Sequence, residues 1–251
     1  MSEYRRVMRI ATLVAGLTGC AENTVVHTSP DTPSLGNERA TVTGHVVDVN
    51  GAPVAGAQVA LRLTGEHATA DSAGAFVLDV PANTTLTLAA SAPSMAPTLA
   101  QQFIVSPSAS AEIDIPLLAT EHLKALTAMG SNPAGGAIAI AVKSLSGADV
   151  GAAGATVQLT PSLGKVLYTP GQTGTPGHAG IPDPDPTMMS VVPGIGPVAW
   201  ALGVQPHVSI MTLTLHGASQ VESPHAVDDV IWPGTFTVDA GALTLVTLFT
   251  P

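Results

Sequence analysis

Three histidines near the C-terminus are spaced in a way that could bind a metal ion. His207, His216 and His225 follow one another at intervals of nine residues, and Asp228 and Asp229 come shortly after. Imidazole nitrogens brought together from separate loops are common ligands of zinc. Histidines scattered over a surface produce the same pattern more often. The sequence therefore predicts no metal site.

Two aspartates alternate with prolines in residues 181–186 (IPDPDP) and could supply oxygen ligands to calcium. Calcium takes six to eight such oxygens. Alternate residues of an extended segment point apart, however, so Asp183 and Asp185 are poorly placed to share one ion. We interpret this stretch as part of a solvated loop.

Aromatic side chains could bind carbohydrate by stacking against sugar rings. Trp232 and Tyr168 are the two candidates, whereas Trp200 alternates with small residues and is predicted to lie in the core. Only 3% of the chain is aromatic, so few rings are available for such a site. A packed Trp232 is the favoured interpretation, and carbohydrate or another small ligand is kept as an alternative.

Motifs of known catalytic machinery are missing from the sequence. It has no Gly-x-Ser-x-Gly elbow, no His-Glu-x-x-His pair and no glycine-rich phosphate loop before a helix. We therefore predict that the chain is not an enzyme and needs no cofactor.

The N-terminus has the three zones of a secretory signal peptide. Three arginines fall within the first nine residues, the apolar run of residues 10–17 follows, and small residues precede Cys20. This run is far shorter than the roughly 20 residues that a membrane-spanning helix needs.

Leu17, Thr18, Gly19 and Cys20 resemble the lipobox of bacterial lipoproteins. The resemblance implies removal of residues 1–19 and attachment of lipid to Cys20, the single cysteine of the chain. Two or more acyl chains hold a protein stably on a bilayer, so Cys20 would anchor the chain to the cell envelope. Ala21 follows the cysteine, and the sorting pattern of this family then favours the outer membrane.

The charge balance argues against nucleic-acid binding. Without residues 1–19, the chain keeps 17 acidic and 5 basic residues, a formal charge of −12. Phosphate binding needs clustered lysine and arginine, and anionic lipid surfaces attract basic segments. Neither is a predicted partner beyond the lipid anchor itself.

Alternation of apolar and polar residues from position 40 onward predicts an all-β protein. The inward-facing residues repeat with a period of two, which is typical of sandwiches with one solvated face per sheet. Predicted inward positions include Val59, Leu61, Leu63, Phe76, Leu78, Val80, Ile113, Ile115, Leu117, Ile138, Ile140, Val142, Val157, Leu159, Val198, Trp200, Leu202, Val204, Met211, Leu213 and Leu215.

The pattern divides the chain into four parts. Residues 1–19 are the signal peptide, and residues 20–39 are the lipidated cysteine and a flexible polar tether. Residues 40–118 and 119–251 are two β-sandwich modules in tandem, of immunoglobulin-like or prealbumin-like type.

Four local features are predicted within the second module. A short helix covers Thr120–Met129 and ends at Gly130, with Leu123 and Leu126 facing inward. Residues 169–186 form a long Pro- and Gly-rich surface loop. Residues 235–250 form a hairpin that turns at residues 239–241, and its last strand, apolar on both faces, lies in the centre of a sheet.

The two modules share a short sequence repeat. Residues 51–61 (GAPVAGAQVAL) match residues 147–159 (GADVGAAGATVQL) once two extra residues are allowed in the second copy. Each copy lies between two predicted strands with alternating apolar residues, so the repeat predicts a duplicated β module.

The first copy also resembles the carboxypeptidase regulatory-like domain, a prealbumin-like sandwich. Residues 42–48 (VTGHVVD), 51–59 (GAPVAGAQV) and 71–76 (DSAGAF) carry this resemblance, which covers residues 40–118. The second copy has Asp149 in place of the proline and lacks the Asp-x-x-Gly-x-Phe turn. In this family the domain is an accessory or stalk, so the resemblance implies a fold more than an activity.

These features together predict a membrane-anchored lipoprotein with a non-catalytic structural or protein-interaction role in the cell envelope. The alternatives are a binding module for carbohydrate or another small ligand and an accessory subunit of an envelope enzyme. The protein partner is not specified by the sequence.

Overall fold

The computed structural model describes ten ranges of the chain: 38–62, 64–107, 110–144, 155–170, 182–190, 197–207, 209–210, 212–216, 229–231 and 236–250. Residues 37–251 belong to one compact unit. The predicted lipid site at Cys20, with Leu17, Thr18 and Gly19, lies outside the described residues, and so does Trp232.

Eight strands and one helix follow one another up to residue 129. They are β1 (Arg39–Val47), β2 (Gln58–Leu61), β3 (His67–Thr69), β4 (Ala75–Pro81), β5 (Thr85–Ser91), β6 (Thr98–Ile104), β7 (Ser110–Glu112), β8 (Ile115–Pro116) and α1 (Thr120–Met129).

Nine further strands come after the helix. They are β9 (Gly136–Ser144), β10 (Thr156–Thr160), β11 (Lys165–Tyr168), β12 (Pro197–Val204), β13 (Ser209–Ile210), β14 (Thr212–His216), β15 (Asp229–Ile231), β16 (Phe236–Thr237) and β17 (Leu243–Thr250). The all-β class predicted from the sequence is confirmed.

The first module is a sandwich of two sheets. One sheet has the order β4-β1-β7, with β8 also paired to β1, and the other contains β6-β5-β2-β3. The inward positions predicted from alternation are confirmed in β2 and β4, which bury every second side chain, whereas Ile113 is half-buried and Leu63 lies outside the described residues. The buried residues of the first module include Val59, Leu61, Phe76, Leu78, Val80 and Ile115.

The second module repeats the strand pairing of the first. β1 lies between the antiparallel β4 and the parallel β7, and β9 lies between the antiparallel β12 and the parallel β17. In each module the next strand, β2 or β10, belongs to a different sheet. This similarity of pairing is compatible with a duplicated module, which stays a prediction, and residues 145–154 of the second copy lie outside the described residues.

Strand β17 joins the two modules into one sheet. It pairs in parallel with β9 over residues 243–250 and with β6 over residues 243–245. The result is an eight-stranded sheet of order β11-β12-β9-β17-β6-β5-β2-β3. The predicted central position of the last strand is confirmed, and its two apolar faces follow from burial on both sides.

The predicted hairpin of residues 235–250 is wrong. A turn does occur at the expected place, where the N–H of Ala242 donates to the carbonyl of Asp239 and Gly241 has a φ of 61°. However, β16 pairs with β13 and β17 pairs with β9 and β6. The same sequence pattern, two strands with alternating apolar residues joined by a turn, occurs when the second strand pairs with the first and when it crosses to another sheet. The pattern therefore does not decide which strands pair.

The two sandwiches lie on opposite faces of the shared sheet. Side chains alternate along β17, so Leu243 and Leu245 face the same way. They pack with Leu123 and Leu126 of helix α1, in a group of side chains that we call the helix cluster. Val246 faces the other way and packs in the second module's core. The register places Leu245 beside Ala100, which belongs to the first module's core. One face of the sheet thus carries the first core and the helix, and the opposite face carries the second core.

Helix α1 has the predicted bounds, and it buries Leu123 and Leu126 as predicted. It packs in one cluster with Ala137 and Ala139 of β9, whose small side chains let the helix approach the sheet closely. A Cβ on Gly130 would lie 2.0 Å from the carbonyl oxygen of Leu202, so this glycine is required by the close approach of two backbones. Among the described residues, no helix has the length and hydropathy needed to cross a bilayer.

Two buried threonines at the module junction allow a matched test of this packing. Thr98 and Thr244 both have 0% exposure. The Thr98 hydroxyl donates to the Pro116 carbonyl at 2.9 Å, whereas the Thr244 hydroxyl has no hydrogen-bond partner among the described residues.

We predict that Thr244→Val raises the free energy of unfolding by about 1 kcal/mol, because an unsatisfied buried hydroxyl is replaced by a methyl group of the same shape. Urea denaturation measures the effect. Thr98→Val is the control and should lower stability, since it leaves a carbonyl without its donor. Equal losses in both variants would contradict the assignment.

Candidate functional site

One edge of the first sandwich carries the densest charge cluster that the structure describes. Strand β4 ends its sheet, so no strand of the described residues is hydrogen-bonded to its outer side. The N–H of Val46 donates to the carbonyl of Gly74, and the N–H of Ala82 donates to the carbonyl of Glu38. Hydrogen-bonded pairs alternate in an antiparallel ladder. Ala75, Val77 and Asp79 therefore point their backbone groups away from β1, toward the free edge.

Arg39 occupies this edge. Its Nε donates to the Asp79 carboxylate at 2.8 Å, and its Nη2 donates to the Asp79 carbonyl at 2.9 Å. Nη2 also lies 2.8 Å from a carboxylate oxygen of Glu66, which directly precedes β3 in the other sheet. Hydrogen bonds to Asp79 and then Glu66 raise the pKa of Arg39 above its ordinary value. One guanidinium thus connects both sheets and covers a backbone carbonyl of β4.

An open groove of about 530 Å³ runs along the same edge. Val77, with 67% of its side chain exposed, is the aliphatic residue on its rim. The groove is shallow and mixed in polarity, which suits a contact with another chain better than the enclosure of a small ligand. Its lining residues are Arg39, Thr64, Gly65, Glu66, His67, Val77, Leu78 and Asp79.

Two turns at one end of this sandwich have the same hydrogen-bond pattern. The side chain of Asp48 accepts from the N–H groups of Asn50 and Ala52, and that of Asp71 accepts from those of Ala73 and Ala75. In both turns the aspartate N–H also donates to the carbonyl four residues later. Asp-x-x-Gly-Ala is therefore a repeated turn unit, and the second copy satisfies both backbone groups of Ala75.

Residues 182–186, the described end of the Pro-rich stretch predicted as a surface loop, are partly packed. Pro182 and Pro184 are buried. The indole N–H of Trp200 donates to the Pro182 carbonyl at 3.1 Å, and the N–H of Asp185 donates to the Tyr168 carbonyl at 2.8 Å. Composition alone does not reveal that these two prolines are buried.

The two aspartates of this stretch serve different partners. Asp183 pairs with Nε2 of His122 on helix α1 at 2.8 Å, whereas Asp185 accepts from the hydroxyl and the N–H of Thr187. These hydrogen bonds lower the pKa of Asp185. Their contribution is therefore present at neutral pH and lost as the pH falls through the lowered value. No shared calcium position arises between the two carboxylates.

Tyr168 is a core residue and not a surface ring. It is 7% exposed, it packs in the second module's core with Ile140 and Val204, and its hydroxyl accepts from the N–H of Val157 at 3.0 Å. The ring face that the carbohydrate hypothesis needs is therefore covered. Trp200 is fully buried, which confirms its predicted core position.

His207 and His216, which were interpreted as scattered surface residues, do not come together in the part of the chain that the structure describes. His207 is exposed and lies in a turn, where its N–H donates to the Val238 carbonyl. His216 stands opposite Asp229 in the β14–β15 ladder. His225 and Asp228 lie outside the described residues. Within those ranges, no three His, Cys, Asp or Glu side chains are close enough to hold a metal ion.

The charge cluster around Arg39 was not found from the sequence. Its members come from positions 39, 66 and 79, which no local pattern connects. The available signal was weak: Arg39 is one of five basic residues after position 19, and Asp79 lies on the polar side of an alternating strand.

Comparison with known proteins identifies one domain. Residues 41–118 match the model of the carboxypeptidase regulatory-like domain. The first module is therefore such a domain, a non-catalytic module. The match confirms the resemblance found in the sequence, and its bounds agree with the first sandwich.

Solved structures show weaker likeness. A type II cohesin–X-dockerin complex from Acetivibrio cellulolyticus matches at 20% identity over 32% of this chain, with a TM-score of 0.28, and the match spans 58% of that chain. The TIE protein of Bacillus anthracis matches at 10% identity over 85% of this chain and 34% of its own, with a TM-score of 0.29. TM-scores this low carry no conclusion for this chain. No curated protein matches the sequence significantly.

We predict that Tyr168→Phe lowers the free energy of unfolding by about 1–3 kcal/mol, because the buried N–H of Val157 loses its acceptor. Thermal or urea unfolding measures the change. Phe76→Leu, which alters packing without removing a hydrogen bond, is a comparison for simple core disturbance. Unchanged stability of Tyr168→Phe would show that Val157 does not depend on this hydroxyl.

Proposed function

We propose that this chain is an exported lipoprotein, held at the cell envelope by lipid on Cys20, with a non-catalytic structural or protein-interaction role. The observation that carries the proposal is the sharing of β17 between the two modules. A strand that pairs with both sandwiches joins them in one continuous sheet, an arrangement suited to presenting surfaces to a partner.

The sequence around this body supports the proposal. Residues 21–38 are polar and lack periodicity, and they separate Cys20 from β1, which begins at Arg39, the last residue of the predicted tether. A spacer of this kind would hold the sandwiches away from the bilayer surface. The carboxypeptidase regulatory-like domain is a non-catalytic module, which agrees with a role in presentation or contact. The outer membrane is the proposed location because Ala21 follows the cysteine.

We predict that Cys20→Ala moves the protein from the membrane fraction to the soluble fraction, since no acyl chains remain to hold it. Fractionation followed by immunoblotting measures the distribution. Ala21→Asp is the matched control: it keeps the cysteine, so the protein should stay with membranes but shift from the outer to the inner membrane. A Cys20→Ala protein that remains membrane-bound would contradict the anchor.

The interaction role predicts a discrete heterologous crosslinked species in native membranes. Crosslinking of the wild-type chain followed by mass spectrometry would identify it. Recovery should fall strongly in Cys20→Ala, because the released chain is diluted away from envelope partners. A chain that is recovered only by itself would favour a purely structural role.

A further inference from the structure

Met189 is the most exposed large apolar side chain in the part of the chain that the structure describes. Its exposed fraction is 83%, against 67% for Val77 and 65% for Ile104. Unlike the other two side chains, methionine carries a thioether, which oxidants convert to a polar sulfoxide. An exposed thioether is therefore open to a chemical modification that the other exposed apolar residues do not undergo.

A hydrogen-bonded turn directs the two adjacent methionines at positions 188 and 189. The N–H of Met188 donates to the carbonyl of Asp185 at 3.1 Å, and the N–H of Asp185 donates to the carbonyl of Tyr168 at 2.8 Å. The Asp185 carboxylate also accepts from the hydroxyl and the N–H of Thr187. These bonds attach the turn to the end of β11, a strand of the shared sheet.

The two methionines leave this turn in different environments. Met188 packs against the second module's core, which contains Tyr168 and Ile210. Met189 faces solvent. Two side chains of identical chemistry thus stand next to each other in the chain and differ in burial.

The other methionines that the structure describes are also covered. Met95 packs against the first module's core, and Met129 packs against the helix cluster. Met211 and the two methionines of the predicted signal peptide lie outside the described residues. Within the described ranges, Met189 is therefore the one methionine that is mostly exposed, and a reagent reaches it without any movement of the fold.

We propose that Met189 is a site of oxidation by peroxides. A lone pair of the sulfur attacks one peroxide oxygen and the O–O bond breaks, while the proton of the attacked oxygen passes to the leaving oxygen. The sulfur loses two electrons and becomes a sulfoxide. Hydrogen peroxide is reduced to water, and an organic hydroperoxide is reduced to an alcohol.

The position of Met189 decides what this change does to the protein. A sulfoxide at Met189 stays in water, so no polar group has to be buried. A sulfoxide at Met188 would place a polar oxygen against the second module's core, where a group without a partner is costly. Oxidation at Met189 therefore changes the surface of the second module and leaves its core intact.

Hydrogen peroxide tests the proposal on the full chain carrying Cys20→Ser, which removes the only thiol. Met188→Leu and Met189→Leu are matched variants, because each leaves one of the two thioethers and leucine has nearly the same volume. Mass spectrometry of proteolytic peptides gives the oxidation rates. In the folded chain Met189 should react about tenfold faster than Met188, since susceptibility follows exposure. In urea the two rates should agree.

Thermal unfolding separates a surface modification from damage to the core. Oxidation of the Met188→Leu chain at Met189 should leave the melting temperature unchanged. Forced oxidation of the Met189→Leu chain at Met188 should lower it, because the sulfoxide disturbs the packing of the second module.

Three results would overturn the proposal. The first is an equal rate of oxidation at Met188 and Met189 in the folded chain. The second is a large increase in the Met189 rate on unfolding, which would show that this side chain is covered. The third is a lower melting temperature after oxidation at Met189. The inference goes beyond the envelope role and does not depend on lipid at Cys20, so failure of the membrane test and failure of this one are distinguishable.

Discussion

The parallel pairing of β17 with both β9 and β6 is the interaction on which the rest of the structure depends. A strand with neighbours on both sides and cores on both faces needs apolar side chains on both faces. Leu243 and Leu245 meet one core, and Val246 meets the other. Without β17, the first module would leave β6 as an edge, and the second would lose the parallel partner of β9.

This arrangement explains why the two modules divide their strands between sheets differently. In the first module, the parallel partner of the opening strand is short and is divided between β7 and β8. In the second, the equivalent strand is β17, which is long enough to serve both modules. The opening strand lies in the smaller sheet of the first module and in the shared sheet of the second. Equivalent pairings therefore yield sandwiches on opposite faces.

Ionisable side chains are few, and several of them connect segments that are distant in sequence. Arg39 reaches Asp79, Arg62 reaches Asp239, and His122 reaches Asp183. Exposed ion pairs contribute little to stability, so their main effect is on which edges and loops stay in place. Arg39 differs from the other two because it also occupies a backbone carbonyl at a free edge.

The sequence by itself determined the alternating burial of β2 and β4, the bounds of helix α1 and the turn units of the regulatory-like domain. These features are local, since period-two alternation, helical spacing and Asp-x-x-Gly turns each depend on a few neighbouring residues. Phe76, Leu78, Val80, Leu123 and Leu126 were predicted correctly for this reason. Only the tertiary structure decided the partners of β17, the packing of Pro182, the burial of Tyr168 and the meeting of Arg39 with Glu66 and Asp79. Alternation shows that a face is covered, but the covering element lies far away in the chain, and no local pattern specifies it.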